Sequence, residues 1–217
     1  MRSASSETWP QTLRRIRRRF KSRAMRWWWG DRLDGRFLLA RWVRTQSRGR
    51  VLDLGCGPGI ILAEVPSGLA KTGLDIDRQA LKTAAGFNPE ALLVAGDWQA
   101  LPFDQGSFET LILSGVLCSS LPQAVKEGIL SEASRVLSPG GRLLSFDTNR
   151  LHWATGRFDP NQMDFGQLQA LLAAWGFFVE EAVGWNVVPS FIFFAPPALK
   201  RRLAAKGHRY KYFFLPS

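Results

Sequence analysis

Short apolar runs alternate with longer amphipathic stretches from residue 50 onward. Runs rich in Val, Leu, Ile and Phe have the length and composition of buried β-strands; they are Arg50–Leu54, Thr72–Ile76, Ala91–Ala95, Phe108–Leu113 and Arg142–Phe146. Helical periodicity separates them, as at Arg78–Ala85 and Gln123–Leu137, and Ser138–Gly141 predicts the end of a helix and a turn. Strands that alternate with helices favour right-handed crossovers and a parallel sheet covered on both faces. The predicted fold class is α/β.

After Asp147 the pattern predicts a loop and then a helix from about Asp164 to Trp175, which Gly176 ends. Two more strand-like runs follow at Phe177–Ala182 and Val187–Phe194.

The first 29 residues predict one basic amphipathic helix. Apolar residues recur there at intervals of three and four, which places them on one helical face; they are Trp9, Leu13, Ile16, Phe20, Ala24 and Trp27. The other faces are mostly arginine, and Gly30 ends the run. A second helical segment, Arg32 to Arg44, leads into the first strand.

The net charge of +11 is concentrated at the two ends of the sequence. Residues 1–50 hold fifteen basic and three acidic side chains, and residues 198–217 hold six basic and none acidic. The part between them has an acidic excess. We therefore predict three parts: a basic Trp-rich helix or arm at 1–30, a globular domain at 31–197 and a basic tail at 198–217. Basic ends indicate an anionic partner, such as phospholipid headgroups, nucleic acid or an acidic protein surface.

Composition excludes several classes of protein. With 46% hydrophobic and 22% charged residues, the chain is neither disordered nor fibrous. Two cysteines, Cys56 and Cys118, cannot form a disulfide framework, and no Cys/His cluster has the spacing of a metal site. No apolar run approaches the roughly 20 residues that span a bilayer, and the first residues lack the apolar stretch of a secretory signal. We expect a cytoplasmic protein.

The stretch Val51–Gly59 predicts a ligand site. A buried strand ends there in a glycine-rich turn, where the backbone can approach a ligand closely. In open α/β sheets, ligands bind beyond the carboxyl end of such a strand. Asp75, eighteen residues after Gly57, ends the second strand, where its carboxylate can accept both hydroxyls of a ribose. The sequence therefore predicts a ligand that contains a nucleoside.

The same turn narrows the choice of nucleoside. The dinucleotide fingerprint requires a glycine where Ile60 stands, and no Gly-Lys-Ser/Thr follows as in a phosphate-binding loop. Asp53 lies within the strand just before the turn, where its charge would repel a pyrophosphate. A carboxylate at this place suits a ligand with an amino group and a sulfonium.

Five motifs occur in order along the chain: Asp53–Gly59, Gly73–Asp77, Gly96–Phe103, Ser107–Ser114 and Arg135–Gly141. Together they resemble class I S-adenosylmethionine-dependent methyltransferases over about Arg48 to Gly184. The resemblance is greatest to the small-molecule and lipid-type group that includes ubiquinone-biosynthesis C-methyltransferases. It implies S-adenosylmethionine as methyl donor. It also implies a Rossmann-like sheet of seven mostly parallel strands, the last one antiparallel, with helices on both faces.

The resemblance also assigns the donor site residue by residue. It implies that Gly55, Cys56 and Gly57 contact the methionine part through their backbone, with Asp53 near the amino group. Asp75 would hold the ribose hydroxyls.

Adenine would pack on Ile76 and donate its amino group to Asp97, with Trp98 beside it. Ser114, at the end of the fourth strand, would line the reaction centre.

The chain departs from many relatives after the fourth strand, where a histidine often follows and Ser114–Cys118 has none. His152, just beyond the fifth strand, is our candidate general base, with a structural histidine as the alternative. The chain lacks the Asn-Pro-Pro-Tyr signature of enzymes that methylate exocyclic amines of nucleic acid, which argues against that reaction. A covalent attack on cytosine is also unsupported, because Cys118 follows Leu117 rather than a proline.

Three interpretations of the N-terminal helix stay open. Residues 9–29 suit an anionic membrane surface, because arginines oppose an apolar face with tryptophans. They also suit a lid over the cofactor, or contact with RNA through Arg and stacked Trp. The predicted function is methyl transfer to a small lipophilic acceptor, with peripheral membrane attachment as one option and no metal. The alternatives are an RNA methyltransferase and a non-catalytic protein that binds the cofactor for regulation.

Overall fold

The computed structural model describes residues 36–117, 121–148, 161, 163–182 and 212–215. Its strands are β1 (Val51–Leu54), β2 (Lys71–Asp75), β3 (Leu92–Ala95), β4 (Phe108–Ser114), β5 (Leu137–Thr148) and β6 (Tyr212–Leu215). Its helices are α1 (Arg36–Gln46), α2 (Arg78–Phe87), α3 (Gln123–Val136) and α4 (Phe165–Ala174), with a short 3-10 turn at Leu62–Glu64.

The strands form one sheet in the order β3-β2-β1-β4-β5-β6. The first five strands run parallel, and β6 is antiparallel to β5. The predicted α/β class and its parallel sheet are confirmed. Since the chain adds β2 and β3 on one side of β1 and β4 and β5 on the other, the direction of winding changes at β1. Ligand crevices in open α/β sheets lie at this point.

Both faces of the sheet are covered, as expected for parallel strands. Leu111 and Leu113 of β4 pack in a core that includes residues of α3 and α4, whereas Ile112 packs on the opposite face with residues of α1. All four residues of β1 are buried. The centre of the sheet therefore has the near-continuous apolar character that the sequence showed, interrupted in β1 by Asp53.

Strand β5 is longer than the predicted Arg142–Phe146. Its pairing with β4 begins at Leu137, opposite Phe108, and resumes at Arg142, opposite Thr110. Residues 138–141 therefore bulge out of the ladder, and Gly140 has a φ of +72° there. The predicted Pro-Gly-Gly turn exists as this bulge within a strand.

One prediction for the last part of the sheet is wrong. Phe177–Ala182 is not a strand, because the chain after α4 turns at Gly176, with a φ of +83°, and continues without ladder pairing. The sixth strand instead comes from Tyr212–Leu215, within the segment interpreted as a tail. Val187–Phe194 lies outside the described residues, so a seventh strand stays a prediction.

The predicted basic helix of residues 1–30 also lies outside the described residues. The second predicted helical segment, Arg32 to Arg44, corresponds to α1, which begins at Arg36 and ends at Gln46. Among the helices described, none has both the length and the apolar character needed to cross a membrane.

Candidate cofactor site

The glycine turn after β1 is tied to the end of β2. The backbone amides of Gly55 and Cys56 both donate to the carbonyl of Leu74, at 2.8 and 3.0 Å. This places the turn at the carboxyl edge of the sheet, directly beside the last residue of β2. The glycine turn and Asp75 therefore lie side by side at this edge of the sheet.

Two glycines of the turn have different surroundings, although both have positive φ. A Cβ on Gly59 (φ +75°) would lie 2.5 Å from Asn88 Nδ2 and 2.9 Å from Ala84 Cβ, so this glycine allows close packing on α2. A Cβ on Gly57 (φ +52°) would meet no atom of the described residues within 4 Å. Gly57 therefore borders open space, where a ligand can lie against the backbone.

Asn88, the residue after α2, holds the glycine turn in place, and the sequence did not predict this role. Its buried side-chain amide donates to the carbonyls of Gly59, at 3.0 Å, and Ala84, at 3.1 Å. An asparagine three residues after the predicted helix Arg78–Ala85 was the available signal, but its partner Gly59 lies 29 residues earlier in the chain.

Asp75 organises the other side of the turn. Its Oδ2 accepts from the Gly57 amide at 2.7 Å, and its Oδ1 accepts from the Asp77 amide at 2.9 Å. Each carboxylate oxygen retains a further lone pair, so Asp75 can still accept from two hydroxyls. Because the Gly57 amide already donates to Asp75, Gly57 has its Cα and its carbonyl for the predicted contact with the methionine part.

Asp53 is the most unusual group of the site. It is 1% exposed, and neither of its carboxylate oxygens has a hydrogen bond from the described residues. Burial, together with the negative charge of Asp75, raises the pKa of Asp53 to about 7. The backbone of Leu62 has a smaller effect, which lowers this pKa. A buried carboxylate without a partner is costly, and a cationic group of a ligand relieves that cost.

The part of the site that the sequence predicts to hold adenine, called the adenine side, combines an apolar surface with a hydrogen-bond acceptor. Ile76, next to Asp75, is 67% exposed, which is unusual for a large aliphatic side chain. Asp97 is exposed after β3, and its Oδ1 accepts from the Gln99 amide at 3.0 Å. These are the chemical requirements of an adenine with an apolar face and a donating amino group.

Trp98 lies between the adenine side and the glycine turn. Its Cζ2 is 3.7 Å from the position that a Cβ on Gly55 would take, and Val116 after β4 borders the same position. Its buried Nε1 has no hydrogen bond from the described residues. Ser114 ends β4, two residues before Val116, and is partly exposed; its place at the reaction centre stays a prediction.

Of the two predicted site residues Cys56 and His152, the structure describes only Cys56. Cys56 is buried, and burial together with Asp53 and Asp75 raises the pKa of its thiol, so it is a small packed residue rather than a nucleophile. His152, the predicted base, lies outside the described residues. No group of His, Cys, Asp and Glu among the described residues could hold a metal ion.

The described residues thus fit a sulfonium nucleoside in four respects: an uncompensated buried carboxylate, a second carboxylate for hydroxyls, open space at Gly57 and an exposed Ile76.

Comparison with known proteins gives the same indication. Residues 52–145 match the family described as methyltransferase domain. The chain is 38% identical over 104 residues to an uncharacterised methyltransferase of Synechocystis, covering 46% of this chain and 48% of that protein.

Two further relatives have names that state an acceptor. A malonyl-[acyl-carrier protein] O-methyltransferase of Erwinia billingiae is 34% identical, with 60% of this chain and 51% of that protein covered. A demethylmenaquinone methyltransferase of Beutenbergia cavernae is 37% identical, with 48% and 43% covered. The chain thus spans about half the length of the curated relatives it matches.

Solved structures show the same fold. A TehB-like SAM-dependent methyltransferase from Corynebacterium glutamicum has a TM-score of 0.59 at 19% identity, covering 95% of this chain and 97% of that one. The [4+2]-cyclase SpnF also has a TM-score of 0.59 at 19% identity, covering 82% and 78%.

The matched region, residues 52–145, is therefore a methyltransferase domain, and the chain has the Rossmann-like fold of a known S-adenosylmethionine-dependent methyltransferase. The name of the demethylmenaquinone methyltransferase is in line with the predicted resemblance to methyltransferases of small molecules.

The pKa of Asp53 gives a testable dependence of stability on pH. Its pKa is raised from 3.8 to about 7, so between these values the folded state keeps a proton that the unfolded state releases. Unligated wild-type protein therefore loses stability as the pH rises from about 4 to about 7. We expect Asp53→Asn to lack this loss and to gain on the order of 3–4 kcal/mol over wild type between pH 4 and pH 8.

Denaturant unfolding of both proteins at pH 4.5, 6 and 8 measures the difference. Asp104→Asn, which changes an exposed carboxylate, serves as control and should follow wild type. Parallel pH curves for Asp53→Asn and wild type would contradict the prediction.

Proposed function

We propose that this chain transfers a methyl group from S-adenosylmethionine to a small lipophilic acceptor. The observation that carries the donor half of this proposal is the Asp53 carboxylate, 1% exposed and without a hydrogen bond from the described residues, beside Asp75. Two carboxylates at adjacent strand ends suit a ligand with cationic and hydroxyl groups on one molecule.

The residues act on the donor by position and charge. Asp53 attracts the amino group, Asp75 accepts from the ribose hydroxyls, and Ile76 supports the adenine ring, whose amino group donates to Asp97. The donor's sulfonium supplies a good leaving group. The protein therefore has to align acceptor and methyl group in line and to exclude water, which contributes most of the rate.

The acceptor half is supported by the relatives and by the local chemistry. Named relatives include a demethylmenaquinone methyltransferase and a sterol 24-C-methyltransferase of Gibberella zeae, and both names state a lipophilic acceptor. In this chain, Ser114 is followed by the buried apolar residues Val116 and Leu117 rather than by charged groups.

His152 stays the candidate base for an acceptor that must lose a proton. Attachment to a membrane through residues 9–29 stays a prediction.

Incubation of the full chain with radiolabelled S-adenosylmethionine and a whole-cell extract tests the proposal. We expect the label in the organic phase of a lipid extraction, at least tenfold above a parallel reaction with Asp75→Asn. Glu180→Gln, which changes an exposed carboxylate outside the site, should label as wild type does.

Other outcomes identify the alternatives. Label in RNA, with a steep dependence of RNA binding on salt, would overturn the lipophilic acceptor in favour of an RNA methyltransferase. Binding of the donor without any labelled product would instead indicate a non-catalytic regulatory protein.

A further inference from the structure

The segment from Asp97 to Gly106 joins β3 to β4 and carries the residues of the adenine side. It has no helix or strand of its own. Asp97 is exposed and accepts hydrogen bonds within its own turn: its Oδ1 from the amide of Gln99 at 3.0 Å, and its carbonyl from the amide of Ala100 at 3.4 Å. The position of Asp97 therefore depends on what holds the rest of the segment.

Helix α3 holds this segment through Arg135. The guanidinium donates from Nη1 to the carbonyl of Phe103 at 2.7 Å and from Nη2 to the carbonyl of Leu101 at 3.0 Å. The same group forms a two-point ion pair with Glu132, with Nε and Nη2 each 2.7 Å from a carboxylate oxygen. Only a planar fork with several donors can satisfy two carbonyls and a carboxylate at once.

Glu132 completes the clamp from the other direction. Its Oε2 accepts from the Leu101 amide at 2.7 Å, so Leu101 is held at both its amide and its carbonyl. The pKa of Glu132 is lowered, first by its hydrogen bond from Arg135, so the carboxylate stays charged. Farther along, the Gly106 amide donates to the carbonyl of Arg135 at 3.0 Å.

A third contact continues the attachment toward Asp97. A Cβ on Gly128 of α3 would lie 3.1 Å from Gln99 Oε1, so the glycine allows this side chain to rest against the helix. The attachment to α3 thus runs from Gly106 back to Gln99, which is two residues from Asp97.

We propose that Arg135 and Glu132 are positioning residues that fix Asp97 and Trp98 and thereby set how strictly the site selects adenine. The inference rests on the proposed function, since it assumes that Asp97 accepts from the adenine amino group. Arg135 and Glu132 act through the segment and touch no ligand. A clamp with a purely structural role would lower stability without changing the choice of base.

Calorimetric titration with two ligands separates these roles. S-adenosylhomocysteine carries the amino group, whereas S-inosylhomocysteine carries an oxo group that would face Asp97. For wild type we expect at least about tenfold tighter binding of the adenine compound, the effect of one hydrogen bond to a charged group. In Arg135→Lys, which keeps the charge and loses the fork, the preference should fall to about twofold or less, through weaker binding of the adenine compound alone.

The design includes a second variant and a matched control. Glu132→Gln keeps an acceptor for the Leu101 amide but loses the charged pair, so it provides a milder change if Arg135→Lys does not fold. Arg142→Lys makes the same exchange on β5, where the arginine donates to Gln46 Oε1 at 2.5 Å, and should keep the wild-type preference. The ratio of two affinities does not depend on the folded fraction of a sample.

Hydrogen exchange gives an independent measurement. The amides of Leu101 and Gly106 should exchange at least about tenfold faster in Arg135→Lys than in wild type or Arg142→Lys, because their acceptors lie in the clamp. A base preference in Arg135→Lys and Glu132→Gln within twofold of wild type would overturn the inference. So would equal binding of both ligands by wild type. If wild type binds neither ligand, the proposed function itself fails.

Discussion

Replacement of Asp75 by asparagine is expected to weaken binding of S-adenosylhomocysteine at least about 100-fold, since hydrogen bonds to charged groups contribute about 1.5–3 kcal/mol each. The carboxylate accepts from the amides of Gly57 and Asp77 with its two oxygens. An asparagine side chain has one oxygen, so its NH₂ group would face one of these amides, donor against donor. The variant would thus lose an acceptor for the ribose and disturb the glycine turn.

Calorimetric titration measures the affinity, and thermal unfolding shows how much of the loss comes from the fold. Glu180→Gln removes an exposed carboxylate outside the site and should bind as wild type does. An affinity of Asp75→Asn within fivefold of wild type would show that this carboxylate does not hold the ligand.

Alanine at Gly57 and at Gly59 should separate binding from folding. At Gly59, the new Cβ would meet Asn88 Nδ2 at 2.5 Å and the Ala84 backbone at 3.1 Å, so we expect a loss of about 2–4 kcal/mol in the free energy of unfolding. At Gly57, the Cβ would enter open space, and the positive φ alone costs about 1–2 kcal/mol. The Gly57 methyl group, however, would occupy the ligand's space and lower affinity by at least about tenfold.

Denaturant unfolding and calorimetric titration of both variants provide the comparison, with each glycine variant as the control for the other. A Gly57→Ala protein that is less stable than Gly59→Ala, or that binds S-adenosylhomocysteine as wild type does, would contradict this assignment.

The sequence predicted the central strands because their evidence is local. Apolar runs such as Phe108–Leu113 and the glycine turn after Val51 are set by neighbouring residues, and the observed bounds differ by one residue. The same holds for the predicted helix near Asp164, where the Asp164 side chain caps the Gln167 amide and Gln167 caps in return.

Features that depend on distant partners were not predictable in this way. Phe177–Ala182 has an apolar pattern, but a strand also needs a free edge to pair with, and Tyr212–Leu215 occupies the edge of β5. The contacts of Arg135 with Leu101 and Phe103 span more than thirty residues, and no local periodicity marks them. The roles of such side chains emerge only when the sheet brings their segments together.

The order of the strands has a consequence for how acceptor choice can change. All groups assigned to the donor come from one continuous stretch, Asp53 to Trp98, on the β1–β2–β3 side of the sheet. Ser114 and the described strands after β4, which are β5 and β6, lie on the other side of the winding reversal. Apart from substitutions at Gly128, Glu132 and Arg135 of α3, changes on that second side can therefore accumulate without disturbing donor capture, so one half of the domain can diversify while the other is inherited intact.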